Sequence, residues 1–357
     1  MKKNMSKTSK NNFITYAMVI VIFAVVQSLS ATGNLSNLLK GLLVPLCVYT
    51  IAAVSLNLVV GFSGELSLGH AGFMCVGAYS SALFSNVVGD ALPSIPRLIL
   101  AILVGAVVAA IFGIIIGIPV LRLRGDYLAI VTLAFGEIIK NLINILYVGV
   151  DDKGLHVATS SAGLQLEAGG KQIMKGALGI SGTSTLYKDI KGQFFLIGVI
   201  LLLITLFIVQ NLVNSRSGRA IMSTRDNRIA AESVGINITK YKLLAFTISA
   251  ALAGVAGVLY AHNLSMLKVS IFDYNMSILV LVYVVLGGIG NIRGSVIATI
   301  ILYALPELLR GFSTYRMLIY AIVLIIMMLF NWAPAARSWR SRVVEKIKGN
   351  KQKKEAA

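Results

Sequence analysis

Charged residues are scarce in this chain of 357 residues: they make up 13% of it, against about 25% in an ordinary soluble domain. Prolines number only six, while apolar residues make up 57%. So few prolines, with a mean hydropathy of +0.84, exclude a disordered or fibrous chain. A soluble protein of this length would need a charged surface. We therefore expect an outer surface that faces lipid.

Residues that cross-link or hold metals are also few. The two cysteines, Cys47 and Cys75, are too few for a disulfide framework or a zinc site, and we interpret them as core residues. None of the three histidines has a partner at metal-ligand spacing. The one Gly-Lys pair, Gly170-Lys171, is followed by Gln172, so no Walker A loop is present. We expect no metal, no cofactor and no enzymatic activity in this chain.

Long apolar runs are the main feature of the sequence. Each is close to the length of about 20 residues that a helix needs to cross the hydrocarbon core. They predict an all-α integral membrane protein with about ten transmembrane helices. Two Gly- and Ser-rich runs, 66–88 and the pair around 287–294, could be broken or re-entrant helices. The predicted spans are 13–30, 38–60, 66–88, 98–120, 127–148, 194–213, 242–262, 274–289, 295–309 and 317–332.

The first run follows four lysines, so a signal peptide is an alternative to a retained span. No A-x-A-like cleavage site closes this run, which favours a retained span.

Positive charge is concentrated in three blocks, which carry most of the formal net charge of +18. Residues 1–12 hold four lysines and no acid, and residues 214–242 hold six basic and two acidic residues. Residues 333–357 hold eight basic and two acidic residues. A nucleic-acid binder would spread its charge over a soluble face. Blocks between apolar runs instead predict cytoplasmic segments, with both termini inside and the loop 149–193 outside.

Two segments stand out from the apolar background. The first, residues 61–79, is rich in glycine and hydroxyl groups and contains Glu65 and His70. It is either a broken helix that forms a polar substrate site or a tight turn between helices. The second lies in the basic block 214–242, where Asp226 is predicted to cap a helix over 227–234 that ends at Gly235. Its two alanines would form a small docking surface.

Charges at membrane depth are few: Glu65, Glu137, Lys140 and Glu307. The spacing of Glu137 and Lys140 lets them neutralise each other on one helix face, and a role in transport is the alternative. Small residues at 113–117 and 253–257 predict close packing of helices.

Four motifs give the chain a resemblance to the branched-chain amino-acid permease family of ABC importers, over residues 40–330. The motifs are the early segment 61–79, a middle segment 123–137, the segment 226–260 and a late glycine motif at 287–290. One departure is Ile229, where the family usually has Glu. The resemblance implies a permease domain over 13–332 with a cytoplasmic coupling segment at 214–241, between the basic N-terminus 1–12 and the basic tail 333–357.

By this resemblance the chain would sit in a bacterial inner membrane and pair with a second, homologous permease. Two cytoplasmic ATP-binding subunits would dock on the coupling segments, and an extracytoplasmic solute-binding protein would deliver the substrate. No nucleic acid is involved. Branched-chain amino acids are the expected substrate.

Candidate functional residues follow from their positions in the motifs. The predicted ATPase-coupling residues are Asp226, Asn227, Ala230, Ala231, Gly235 and Ile236. The predicted substrate-path residues are Gly61, Ser63, Gly64, Ser67, Gly69, His70, Phe73, Tyr79, Tyr127, Thr132, Phe135 and Glu137.

Other functions remain open at this point. An ABC permease for urea, amides, sugars or nucleosides would have a similar membrane core. An ion-coupled secondary carrier would need inverted repeats and a buried ion site. A membrane enzyme would need a paired nucleophile and base, and we find neither.

Overall fold

The computed structural model of the chain describes residues 7–31, 36–122, 127–151, 153–166 and 169–332. Part of the predicted N-terminal block, the whole basic tail 333–357 and residues 123–126 of the middle motif lie outside the described residues.

Twelve α-helices run through the described part of the chain. They are α1 Lys7–Ala31, α2 Asn37–Asn57, α3 His70–Val88, α4 Ser94–Val120, α5 Tyr127–Ile145, α6 Phe194–Asn214, α7 Arg216–Asp226, α8 Arg228–Ser233, α9 Ile238–Asn263, α10 Tyr274–Gly287, α11 Ile292–Leu308 and α12 Arg316–Trp332. Eight helical segments among the described residues are long and apolar enough to cross a membrane. Two shorter apolar helices, Phe13–Leu29 and Arg316–Leu329, match the first and last predicted spans. The prediction of an all-α membrane protein with about ten spans is confirmed.

Helices α2, α3 and α9 form the centre of the bundle, and α4 packs against α3 and α9. The span that contains α2 has 83% of its apolar window buried within the chain, whereas α4 has 22% and presents most of its surface outward. Backbones approach closely at glycines: a Cβ atom added to Gly77 would lie 2.5 Å from the Cα of Gly254, and one added to Gly257 would lie 2.0 Å from the Met74 carbonyl oxygen. Small residues let transmembrane helices come this close, as predicted for 253–257.

The connection between α2 and α3 is irregular. A π-helix, Leu58–Ser63, extends α2 and is followed by Gly64, whose φ of +76° is readily adopted by glycine. Residues 64–69 then form neither helix nor strand, so the prediction of helix from residue 66 is wrong and α3 begins at His70. His70 contacts Ser55, so α3 starts beside the last turn of α2. We call residues 58–69 the helix break.

A small antiparallel sheet, which the sequence did not predict, occupies the loop between α5 and α6. Its described strands are β1 Tyr147–Asp151, β2 Gly154–Ala158, β3 Lys171–Lys175, β4 Ile180–Ser181 and β5 Met266–Leu267, in the order β2-β1-β3-β4-β5. Strand β5 follows α9, so it ties the loop to the α9–α10 connection. The predicted span 127–148 is too long, because α5 ends at Ile145 and the next residues pair in β1.

Candidate functional site

The short helix α8 is fixed at its start by a side-chain cap. Asn227 has an extended backbone, with φ −154° and ψ 105°, and its Oδ1 accepts a hydrogen bond from the Ala230 N–H at 3.0 Å. These are the properties of an N-cap residue. The prediction that Asp226 caps this helix is therefore wrong. Asp226 is the last residue of α7 and pairs with Arg225 at 3.0 Å, so α8 begins at Arg228.

The end of α8 is the one that the sequence predicted. Gly235 has φ +84°, and its N–H donates to the Glu232 carbonyl at 3.0 Å. The next N–H, that of Ile236, donates to the Ala231 carbonyl at 3.0 Å. This pair of hydrogen bonds satisfies the last helical carbonyls and needs a left-handed residue at Gly235. Caps at both ends hold a helix that is too short to be stable alone.

The exposed face of α8 differs from the predicted docking surface. Ala231 is 3% exposed and packs inward, so the prediction that both alanines face a partner is wrong for this residue. Ala230 lies at the surface. Two large apolar side chains accompany it, Ile229 at 80% and Val234 at 74% exposure. A short capped helix therefore presents an apolar surface, which we call the α8 face (Ile229, Ala230 and Val234).

The early and middle motifs lie against each other in the structure. The Leu68 N–H donates to the Thr132 hydroxyl at 3.1 Å. A Cβ atom on Gly69 would lie 2.0 Å from the Thr132 carbonyl oxygen. The rings of Phe73 and Phe135 lie 5.2 Å apart. Residues that are distant in the sequence thus form one packed unit of α3, the helix break and α5.

Most of the predicted path residues are buried within the chain. Those that are buried are Gly61, Ser63, Ser67, Gly69, His70, Phe73, Tyr79, Thr132 and Phe135. His70 Nε2 lies 2.8 Å from the Ser55 hydroxyl, and the Tyr79 hydroxyl donates to the Leu267 carbonyl at 3.0 Å. Gly64 and Tyr127 are exposed, and Glu137 is half-buried. The residues that reach the surface lie at the helix break and along α5.

Each charge that was predicted at membrane depth has an ion-pair partner. Glu137 pairs with Lys140 at 2.6 Å, as its spacing predicted, and Glu307 pairs with Arg310 at 2.9 Å. Glu65 pairs with Lys242, which sequence reasoning did not foresee. The signal that the sequence offered for this last pair was an acidic residue, Glu65, and a basic residue, Lys242, each next to an apolar run.

A shallow notch opens between α3, α5 and the start of α10. Its lining includes Gly72, Gly136 and two carboxylates, Glu137 and Asp273. Ser277 also lines it and accepts a hydrogen bond from the Ala71 N–H at 2.9 Å. Sequence reasoning missed Asp273 and Ser277, because they lie about 140 residues after the middle motif. Among the described residues, no group of three or more His, Cys, Asp or Glu side chains could hold a metal ion.

Comparison with known proteins decides the family. Residues 38–330 match the family model described as the permease component of the branched-chain amino acid transport system. The chain belongs to this family. It is a multi-pass ABC transporter permease, and the range of the match agrees with the predicted 40–330.

Individual relatives agree with this assignment. The permease is 35% identical over 321 residues to the high-affinity branched-chain amino acid transport system permease protein LivM of Salmonella typhimurium, covering 87% of this chain and 72% of the relative. It is 23% identical over 322 residues to the ribose import permease protein RbsC of Escherichia coli, covering 88% and 91%. It is 24% identical over 235 residues to the nucleoside ABC transporter permease protein NupC of Lactococcus lactis, covering 65% and 70%. No solved structure matches the chain.

Proposed function

We propose that this chain is the transmembrane permease subunit of an ATP-driven importer of branched-chain amino acids, and that it couples to a separate ATPase. The observation that carries the proposal is the α8 face, an exposed apolar surface on a helix capped at both ends. The sequence has no Walker A loop, so the energy would come from a partner. The proposed complex contains a second homologous permease, two ATP-binding subunits and an extracytoplasmic solute-binding protein.

The distribution of charge supports the orientation. Arg225 and Lys242, from the basic block 214–242, contact residues of the helix break. The helix break and the coupling segment therefore lie at the same end of the bundle. The excess of basic residues favours the cytoplasm for this end. The small sheet and the α9–α10 connection would then face the outside, where a solute-binding protein docks.

The substrate assignment rests on the relatives and on the surface of the helix break and α5. An amino acid brings an ammonium group, a carboxylate and, for Leu, Ile or Val, an apolar side chain. The notch offers the carboxylates of Glu137 and Asp273 beside apolar residues. In this proposal the exposed Gly64 and Tyr127 and the half-buried Glu137 line half of a path between two permeases, and the buried motif residues hold its shape. The similarity to ribose and nucleoside permeases keeps sugars and nucleosides as alternative substrates.

Replacing Ile229 with aspartate is expected to weaken docking of the ATPase. The side chain is 80% exposed in this chain, so the substitution leaves the fold intact while it places a charge in an apolar contact. An anchor residue in an interface contributes about 2 kcal/mol or more, so binding should fall by at least about thirtyfold. The measurement is co-purification of the ATPase with the tagged permease in mild detergent.

The matched control is Val157→Asp, because Val157 is also apolar and is 58% exposed, on β2 at the other end of the bundle. The control should retain the ATPase. Equal recovery of the ATPase with both variants would contradict the docking role of the α8 face, and no recovery with the unchanged protein would contradict the proposed function itself.

A further inference from the structure

Arg225 extends from the end of α7 into the helix break. It is the penultimate residue of α7, three residues before α8 begins. Its Nη1 donates to the Gly61 carbonyl at 2.6 Å, while its Nε and Nη2 donate to Asp226 at 3.1 and 3.0 Å. One side chain thus joins the coupling segment to a backbone carbonyl 164 positions earlier in the chain.

The Gly61 carbonyl is available because the π-helix ends two residues later, at Ser63. A π-helix pairs this carbonyl with an N–H five residues further on, at Leu66, which lies outside the helix. The last carbonyls of a helix need other donors and carry partial negative charge. The guanidinium group of Arg225 supplies both a hydrogen-bond donor and a positive charge to this carbonyl.

Gly61 is itself wedged between two other elements. A Cβ atom there would lie 1.9 Å from Asn57 Oδ1 and 2.4 Å from the Gly290 nitrogen. Asn57 Oδ1 accepts from the Gly290 N–H at 2.9 Å, and Asn57 Nδ2 donates to the Ser295 hydroxyl at 2.9 Å. A displacement of Gly61 would therefore also move the turn between α10 and α11.

A second charged contact to the helix break comes from a residue that follows α8 in the sequence. Lys242, near the start of α9, pairs with Glu65, and the two side chains are only 12% and 15% exposed. Gly64 lies under the stem of Arg225, since a Cβ atom there would lie 2.5 Å from its Cγ. Charged contacts before and after α8 thus end on Gly61 and Glu65, four residues apart.

We infer that Arg225 is a positioning residue that transmits movement of the α8 face to the helix break and the α10–α11 turn. This inference rests on the proposed function, because it supposes that an ATPase displaces α8. The Glu65–Lys242 pair acts beside it as a second attachment. Without Arg225, α8 can still dock and move, but the movement reaches the helix break through one attachment only.

The test is Arg225→Gln in the complete complex of both permeases and both ATPase subunits, in proteoliposomes with the solute-binding protein. Three quantities are measured: ATPase binding, ATP hydrolysis and solute transported per ATP hydrolysed. We expect near-normal binding and hydrolysis, with transport per ATP reduced at least about fivefold. Arg219→Gln is the control, because Arg219 carries the same charge on the same helix and its Nη1 donates to the nearby Asn214 carbonyl at 3.4 Å, not to the helix break.

An unchanged ratio in Arg225→Gln, an equal loss in Arg219→Gln, or a loss of ATPase binding in Arg225→Gln would each overturn the inference. If Arg225→Gln does not assemble, Arg225→Lys serves instead, because a lysine keeps the positive charge but has one point of attachment where arginine has a fork. It should lower transport per ATP while ATPase binding stays near normal, whereas an unchanged ratio would overturn the inference. An unchanged complex that does not assemble or hydrolyse ATP would contradict the proposed function instead.

Discussion

Replacing Gly257 with leucine is expected to prevent assembly of the helical bundle. Gly257 brings the backbone of α9 against that of α3: even a Cβ atom would lie 2.0 Å from the Met74 carbonyl oxygen and 2.9 Å from its Cα. The obstacle is main chain, so no side-chain rotation relieves the contact. Helices α3 and α9 must then separate, which removes packing along the centre of the bundle. Overpacking costs about 1–3 kcal/mol in ordinary cores, and this backbone contact should exceed that range.

The measurement is the yield of monodisperse protein in mild detergent, together with its thermal denaturation. Gly257→Ala should show a smaller loss of the same kind. Gly41→Leu is the matched control, because Gly41 lies within α2 and a Cβ added there would meet no atom of another described element within 4 Å. If Gly257→Leu matches Gly41→Leu in yield and stability, the close packing of α3 on α9 is contradicted.

Replacing Arg97 with methionine is expected to produce the second large loss of stability. Arg97 is 2% exposed, and its guanidinium donates to the carbonyls of Gly89 and Leu186. It also lies over the Tyr187 ring, with Cζ 5.0 Å from the centroid, and the Tyr187 hydroxyl bonds Ser85 at 2.8 Å. One cation therefore joins the start of α4, the α3–α4 connection and the segment that leads into α6.

Methionine has a similar length but offers no donor. Two carbonyls would lose their partner, at about 1–3 kcal/mol each, and the cation–π contact would be lost as well. The expected loss in the free energy of unfolding is of order 4 kcal/mol. The stability of Arg97→Lys should lie between that of the unchanged protein and that of Arg97→Met, because a lysine has one point of attachment where arginine has a fork.

Arg310→Met is the control, because Arg310 pairs with Glu307 at the surface, where an ion pair contributes about 1 kcal/mol or less. Thermal denaturation in detergent measures all three variants. Equal stability of Arg97→Met and Arg310→Met would contradict the account of this contact.

The spans could be read from the sequence because lipid imposes a simple requirement. A helix that crosses a bilayer needs a long apolar run and flanking charge, and both are visible in one dimension. The capped end of α8 was also predictable, because Gly235 and the hydrogen bonds around it depend on neighbours in sequence.

Features that depend on distant partners could not be read in this way. Ala230 and Ala231 are equivalent by sequence, and only the packing of α8 on the rest of the chain buries the second. Asp226 and Asn227 are both good N-caps, so the choice depends on where α7 ends. The strands of the small sheet are two to five residues long, too short to show a clear alternation of apolar and polar residues, and β5 comes from another loop.

The predicted path residues show the same limit. The early motif was identified from its composition and the middle motif from the family resemblance, and the structure brings them together through Leu68 and Thr132. Composition does not say which members face outward, since glycine and hydroxyl residues serve helix packing as well as polar surfaces. The position of His70 against Ser55, inside the bundle, could not be predicted without the path of the helix break.

The central claim is that this permease moves solute with energy from a separate ATPase docked on α8. Its most direct test is uptake of labelled leucine by proteoliposomes that contain both permeases and the ATPase subunits, with the solute-binding protein outside and ATP or no nucleotide inside. The account predicts uptake that requires internal ATP and the binding protein, that persists when a protonophore collapses the proton gradient, and that Ile229→Asp strongly reduces. Uptake without ATP that the protonophore abolishes would contradict it and identify a proton-coupled carrier.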